Sequence, residues 1–214
     1  MTLAIYCAGG LGKELIELAR SLKQWESIVF VDDITDAETY RSATVYRFAE
    51  VAGIEDDVEF VIASGEPAVR RALYEKIKKS GYPMATVISP KAGIAPSSTI
   101  REGCVLLDCG ISEDVTVQEN TYINTKVIIG HDVTVGRHSV ISPNCFLGGK
   151  TRLEECVYMA PGAMAKESIC IGKEAIVSLG AVLLRNVRPR AIMIGNPARR
   201  IGENETGRVF GMFD

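Results

Sequence analysis

From Ile111 to Leu183 every sixth residue is aliphatic or otherwise small and apolar: Ile111, Val117, Ile123, Ile129, Val135, Ile141, Leu147, Leu153, Met159, Ala165, Ile171, Val177 and Leu183. A second restriction runs four places behind, through Val115, Thr121, Val127, Val133, Ser139, Cys145, Thr151, Val157, Ala163, Ile169, Ala175, Ala181 and Val187. None of these is charged and none is larger than isoleucine. A fixed short period of this kind belongs to a stacked coil, not to an ordinary helix or strand. Six residues make one short strand and a corner, and three such faces close a triangular coil of eighteen residues. The first position points inward and the small one four later fills the space near a corner. A single coil cannot bury its own apolar face, so coils stack about 4.8 Å apart and share a core. Residues eighteen apart therefore lie above one another. Ile94 and Ile100 extend the pattern in an offset frame, with a one-residue slip near Asp108 to Gly110. From Ile94 to Arg188 the pattern predicts roughly five coils without a long insertion.

The first ninety residues follow a different pattern. Leu3 to Cys7 reads as a strand and is followed by Gly9, Gly10 and Gly12. Lys13 to Lys23 has the apolar spacing of a helix, with Leu15, Ile16, Leu18, Ala19 and Leu22 on one face. Ser27 to Val31 is a second strand ending at Asp32 and Asp33, and Val58 to Ala63 a third. Pro67 to Lys79 reads as a helix, and Met84 to Ile88 as a last strand leading into the coils. Strand, glycine turn, helix, strand and acid open a Rossmann-like α/β domain. Glycines allow a phosphate to approach the backbone, and the helix N-terminus offers free N–H groups to it. Asp32 and Asp33 stand where an acid can accept a hydrogen bond from a ribose or base. Cys7 occupies the place of the first glycine, so the G-x-G-x-x-G dinucleotide fingerprint is not met. The chain thus divides into a Rossmann-like domain over 1–90, a coil over 91–202 and a tail over 203–214.

Composition narrows the function classes. A net charge of −3 and a pI near 5.6 give no nucleic-acid footprint. No apolar run reaches the length of a membrane span, and the N-terminus lacks the basic region of a signal peptide. The expected location is cytoplasmic, without a membrane partner. Six cysteines lack any C-x-x-C pair and read as buried thiols in a reducing compartment. The chain has two histidines, His131 and His138, too few for the three-histidine metal site of a coil-type carbonic anhydrase, so no metal is expected.

The repeat, together with Ile194-Gly195-Asn196-Pro197-Ala198-Arg199, resembles the hexapeptide-repeat acyltransferases, which implies a left-handed parallel β-helix. With the α/β domain in front, the chain resembles the bacterial PglD/NeuD family of sugar acyltransferases from Ile5 to Ile201. The carriers are Ala8-Gly9-Gly10-Leu11-Gly12-Lys13, Phe30-Val31-Asp32-Asp33, Ile62-Ala63-Ser64-Gly65 with Arg70, Val87-Ile88-Ser89-Pro90, and Asn124-Thr125 with His131-Asp132. The resemblance implies a homotrimer, nucleotide-sugar binding by the N-terminal domain, and acetyl-CoA bound to the coil between subunits. It departs at Leu11, where many members have histidine, and at Cys7, where they have glycine.

Acyl transfer from a thioester needs a base to take a proton from the nucleophile, and a neutral imidazole suits that task near pH 7. Asp132, next to His131, can hold the ring in one tautomer. The resemblance makes these two the catalytic pair. Gly149, eighteen residues later, leaves room for a thioester above the ring, and its N–H can donate to the carbonyl oxygen. Glu113, eighteen residues earlier, either raises the histidine's basicity or is a solvated corner residue. Asn124 matches a family asparagine near the sugar or is a corner residue in a left-handed conformation. His138 reads as an exposed corner residue. Gly162, Ala163, Gly180 and Ala181 stack into a candidate pantetheine groove. Arg185, Arg188, Arg190, Arg199 and Arg200 are candidates for the coenzyme's phosphates or a basic cap on the coil. Gly9, Gly10, Gly12, Asp32 and Asp33 are the candidate nucleotide ligands. The function expected is acetyl-CoA-dependent N-acetylation of a nucleotide-linked amino sugar. O-acetylation of a sugar such as sialic acid and a non-catalytic nucleotide-binding trimer are the alternatives. Phe210 and Phe213 in the tail are candidates for docking on a neighbour.

Overall fold

The computed structural model describes residues 1–54 and 57–210. In the N-terminal domain β1 (Thr2–Tyr6) lies between β2 (Ser27–Val31) and β5 (Val58–Ile62), all parallel. Strand β4 (Ala43–Tyr46) extends the sheet beyond β2, and β3 (Thr39–Tyr40) pairs with it in antiparallel fashion. Alternation along the central strands separates two cores. Leu3, Ile5 and Phe30 face helix α1 (Gly10–Leu22) through its Leu15, Ile16 and Ala19. Ala4, Tyr6, Val31 and Phe60 face the other way, where Ile77 of helix α2 (Pro67–Lys79) is buried. Helices on both faces of a largely parallel sheet make the expected Rossmann-like layering. The hairpin of β3 and β4 and the 3₁₀ turn at Phe48–Gly53 were not legible in the sequence.

The coil starts one strand before Ile94. Val87–Ile88 pairs with Val105–Leu106 and opens a sheet that continues through Tyr122–Ile123, Val140–Ile141, Tyr158–Met159 and Ile176–Val177 to Ala191–Ile194. Arg199–Glu203 returns antiparallel to that last strand and ends the stack. A second sheet runs from Gly93–Ile94 to Val182–Leu183, and a third from Thr99–Ile100 to Cys170–Ile171. Ile111 pairs with Ile94, seventeen residues back, whereas Ile129 pairs with Ile111, eighteen back. The missing residue falls between Leu106 and Ile111, the place of the expected slip.

Both apolar series point inward. Each member from Ile111 to Leu183 and from Val115 to Val187 is buried. The corners carry a third periodic feature. Asp114, Asn120, Lys126, Asp132, His138, Asn144, Lys150, Cys156, Gly162, Ser168, Glu174 and Gly180 all have positive φ, between 54° and 71°. Each chain reversal needs one residue in the left-handed region, which is unfavourable for most side chains. The cooperative ladder of the coil holds these residues there.

The two domains share a core, because Val105, Leu107, Tyr122 and Val140 on the outer face of the first sheet meet α1. A buried polar cluster adds to that contact. Arg70 of α2, fully buried, donates to the Asn120 backbone oxygen and Oδ1 at 2.8 Å, to the Ile62 oxygen at 2.7 Å and to the Ser64 oxygen at 3.1 Å. Burial lowers the guanidinium pKa to about 10, so it remains charged at neutral pH.

Candidate active site

His131 follows a strand of the second sheet and sits at the corner leading to the third. Its Nδ1 lies 2.7 Å from Asp132 Oδ2, and the two side chains are 62% and 49% exposed. Asp132 has φ of 60°, and this corner conformation belongs to the arrangement that sets its carboxylate beside the imidazole. The next coil presents Gly149. A Cβ placed there would lie 2.7 Å from His131 Nε2 and 2.9 Å from Cε1, so only glycine leaves the ring its position. Among the described residues the Gly149 N–H donates to no backbone group. Lys150 N–H donates to the His131 oxygen at 2.8 Å and fixes the stacking of the two coils. Glu113 lies one coil below, where its backbone oxygen accepts from Asp132 N–H at 3.0 Å. Its carboxylate, however, accepts from the Ser97 hydroxyl of the coil beneath.

His138 is not the exposed corner residue that the sequence suggested. It is 3% exposed, its Nδ1 is 3.0 Å from Asn120 Nδ2, and its ring meets Tyr74 edge-on at 5.2 Å. Asn120 Nδ2 also donates to the Arg70 oxygen, so the histidine extends the interdomain cluster. Burial first, then the charges of Arg137 and Arg70, lowers its pKa to about 4. The expectation failed because the packing of α2 over that corner is not encoded in the repeat.

The nucleotide candidates divide by what they touch. A Cβ on Gly9 or Gly10 would meet nothing within 4 Å, so this backbone faces open space at the start of α1. At Gly12 a Cβ would lie 2.6 Å from the Cys7 oxygen and 3.0 Å from the Phe30 ring, so this glycine serves helix–strand packing. Cys7 has φ of 82°, a conformation that glycine would take without cost. Asp32 accepts from Ala8 N–H at 2.8 Å and from the N–H groups of Ile34 and Thr35, which together outweigh its burial and lower its pKa. Asp33 accepts from Tyr6, from Lys76 and from Phe48 N–H. Burial disfavours its charge, but these partners prevail and hold the carboxyl at about 2. Both acids brace the loops of the domain.

Where the domains meet, Leu11, Glu14 and Gly65 line a cavity of about 220 Å³ together with Tyr122, Asn124, Val140, Ser142, Tyr158 and Phe210. Asn124 Oδ1 accepts from Thr125 N–H at 2.7 Å. His131 is not among the lining residues: it stands at the second-to-third corner, whereas the N-terminal domain covers the first sheet. A second cavity, of about 400 Å³, lies at the end of the coil against Arg185, Arg199 and Arg200. Gly162 and Gly180 stack at one corner, where a Cβ on Gly162 would lie 3.9 Å from Gly180 Cα. Ala163 and Ala181 correct the expectation of a groove made by all four residues. Their methyl groups point into the coil and are fully buried. Among the described residues no group of three or more His, Cys, Asp or Glu could hold a metal ion, and no helix is long and apolar enough to cross a membrane.

The α/β domain and the coil define the class of protein, and comparison with known proteins places it more narrowly. Residues 2–77 match the PglD N-terminal domain family and residues 81–165 the GMPPB C-terminal domain family. The chain is 25% identical to the GDP-perosamine N-acetyltransferase of Escherichia coli over 94% of its own length and 97% of that protein. The acetyltransferase domain of PglB from Neisseria gonorrhoeae superposes with a TM-score of 0.87 at 26% identity, covering 94% of this chain and 99% of that one. That domain has also been solved in complex with acetyl coenzyme A. An acyl-carrier-protein-dependent UDP-N-acetylglucosamine O-acyltransferase of Burkholderia lata is 27% identical over 62% of the chain. The chain spans about half the length of that relative, 49%. The resemblance read from the motifs is therefore borne out: the first domain matches the PglD N-terminal domain family, and the chain is similar to bacterial sugar acetyltransferases.

Proposed function

We propose that the protein is an acetyl-CoA-dependent N-acetyltransferase of a nucleotide-linked amino sugar. The observation that carries this reading is the His131–Asp132 pair at 2.7 Å with Gly149 stacked against the imidazole. Asp132 accepts a hydrogen bond from Nδ1–H, which leaves the Nε2 lone pair free. His131 takes the proton from the sugar's amine as its nitrogen attacks the thioester carbonyl. Gly149 N–H donates to the oxygen as negative charge grows on it. The C–N bond forms, the C–S bond breaks, and the imidazolium returns its proton to the leaving thiolate. A positioned base of this kind contributes about 10²- to 10⁴-fold.

The coenzyme's phosphates would lie against Arg185, Arg199 and Arg200, with the pantetheine arm passing the Gly162–Gly180 corner. The nucleotide would rest on the open backbone of Gly9 and Gly10, and its sugar in the cavity with Asn124. Base and sugar cavity occupy different faces of one coil, so the site is completed by a neighbouring chain. A column on the second sheet supports this assembly: Ile128, Phe146 and Met164, stacked eighteen apart, are 50%, 43% and 44% exposed. Burying that column between three left-handed coils would form the homotrimer and bring His131 to a neighbour's cavity. The relative that acetylates GDP-perosamine supports the amino-sugar substrate.

The test is free-thiol release from acetyl-CoA with UDP-, GDP- and dTDP-linked amino sugars, and with sialic acid as the hydroxyl acceptor. Release with one amino sugar, with the acetyl group on nitrogen in the product, is the expected result. Release with sialic acid alone would replace the reading with O-acetylation. No release with any acceptor, despite nucleotide binding, would favour a non-catalytic trimer.

A further inference from the structure

The chain does not stop at the strand that ends the coil. After Arg199–Glu203 it is held at two points. Asn204, 1% exposed, donates from its backbone to the Arg190 oxygen at 2.7 Å and from Nδ2 to the Glu174 oxygen at 3.1 Å, while Arg190 Nε donates to the Asn204 oxygen at 2.8 Å. The second anchor is Glu66, a carboxylate 4% exposed at the start of α2. It does not cap its own helix. It accepts instead from the N–H groups of Val209, at 2.9 Å, and Phe210, at 2.8 Å. A buried carboxylate is unfavourable unless hydrogen-bonded, and here the partners come from the far end of the chain. The consequence is the placement of Phe210. Its ring meets Tyr158 edge-on, with centroids 5.6 Å apart, and lines the same cavity as Leu11, Gly65 and Asn124. The ring remains 54% exposed, so it is presented to the cavity and not absorbed into a core.

We propose that Phe210 is a specificity-determining residue that contacts the sugar: the strap from Asn204 to Phe210 forms one wall of the sugar cavity, and the ring packs on the apolar C–H face of the glycosyl unit. This rests on the assignment of that cavity to the sugar of a nucleotide-sugar. Glu66 is a positioning residue that acts through the strap. Phe213 lies outside the described residues.

The test is calorimetric titration of the full chain with UDP, GDP and dTDP and with the amino-sugar conjugate of each. Phe210→Ala is expected to weaken the conjugate that the native chain binds by roughly 3- to 10-fold, the worth of one aromatic contact. Affinity for the bare nucleotide and the unfolding temperature should stay as in the native chain, and Phe210→Tyr should restore the loss. Glu66→Ala should reproduce the sugar-specific loss and Glu66→Gln recover part of it. Equal weakening of nucleotide and conjugate in Phe210→Ala, or no weakening of either, overturns the role of Phe210 and leaves the cavity's assignment standing. A native chain that binds no conjugate more tightly than its bare nucleotide removes the sugar site, and the proposal with it.

Discussion

Replacing Gly149 with alanine separates catalysis from folding. The new methyl would lie 2.7 Å, 2.9 Å and 3.1 Å from Nε2, Cε1 and Cδ2 of His131. Carbon contacts are comfortable at about 3.5–4.0 Å, so the ring must retreat by roughly 1 Å or rotate away. Gly149 has no left-handed φ, so its backbone accepts alanine. The obstacle is a half-exposed side chain that can move, at the cost of its bond to Asp132. An exposed side-chain contact of this kind is worth about 0–1 kcal/mol, which lowers the unfolding temperature of a chain this size by no more than about 4 °C. For the reaction, a base displaced by about 1 Å costs on the order of 10²-fold. Gly149→Ala should therefore lower kcat in the thiol-release assay about 100-fold with almost unchanged thermal unfolding. Gly148→Ala is the contrast, because its Cβ would strike the Glu167 backbone nitrogen at 2.5 Å and disturb the ladder itself. Native kcat in Gly149→Ala would refute the argument that this glycine preserves the working position of the imidazole.

Three further outcomes follow from other parts of the structure. Arg70→Met leaves the buried oxygens of Asn120 and Ile62 without their donor, which should cost about 3 kcal/mol and lower the unfolding temperature by roughly 6–12 °C; a shift below 2 °C would show that the interdomain cluster contributes little. His138 has its folded pKa depressed to about 4 against an ordinary value of 6.5, so the unfolded chain binds the extra proton first. Stability should fall as pH drops from about 6.5 through 4, by up to about 3 kcal/mol, and His138→Gln should flatten that dependence in denaturant titrations; an equally steep profile in the variant would assign the loss to other groups. Phe146→Glu puts a charge into the exposed column of the second sheet and should convert a trimer to monomers in sedimentation velocity, with the coil still folded. A trimer that persists would place the interface elsewhere.

The coil was legible because its interior constrains every sixth residue, and the same ladder made the stacking of His131 under Gly149 readable eighteen residues apart. Even the slip near Asp108 left a trace, since deleting one residue from a hexad shifts the whole apolar frame. Contacts that break the period could not be read. Arg70 and Asn120 are fifty residues apart and meet because α2 folds over a coil corner. His138 shares its corner position with Asp132 and Asn144, but α2 covers only His138, so burial separates residues with the same local geometry. Asp32 and Asp33 stand at a strand end where ligand acids are expected, and the partners they hold follow no sequence pattern: loop N–H groups for Asp32, and Tyr6, Lys76 and Phe48 N–H for Asp33. The meeting of Glu66 with Phe210 likewise depends on the tail's path across the molecule. Ala163 and Ala181 were misplaced for a simpler reason: small residues read equally as groove or interior, and the four-place series already assigned them to the interior.

The central claim is that His131 is the base of an acetyl transfer. The most direct measurement is the rate of thiol release from acetyl-CoA by His131→Ala, beside the native chain, with the amino-sugar nucleotide the native chain accepts. With equal unfolding temperatures and equal affinity for the nucleotide-sugar, the account predicts a fall in kcat of at least about 10²-fold. Native turnover in that variant would contradict it.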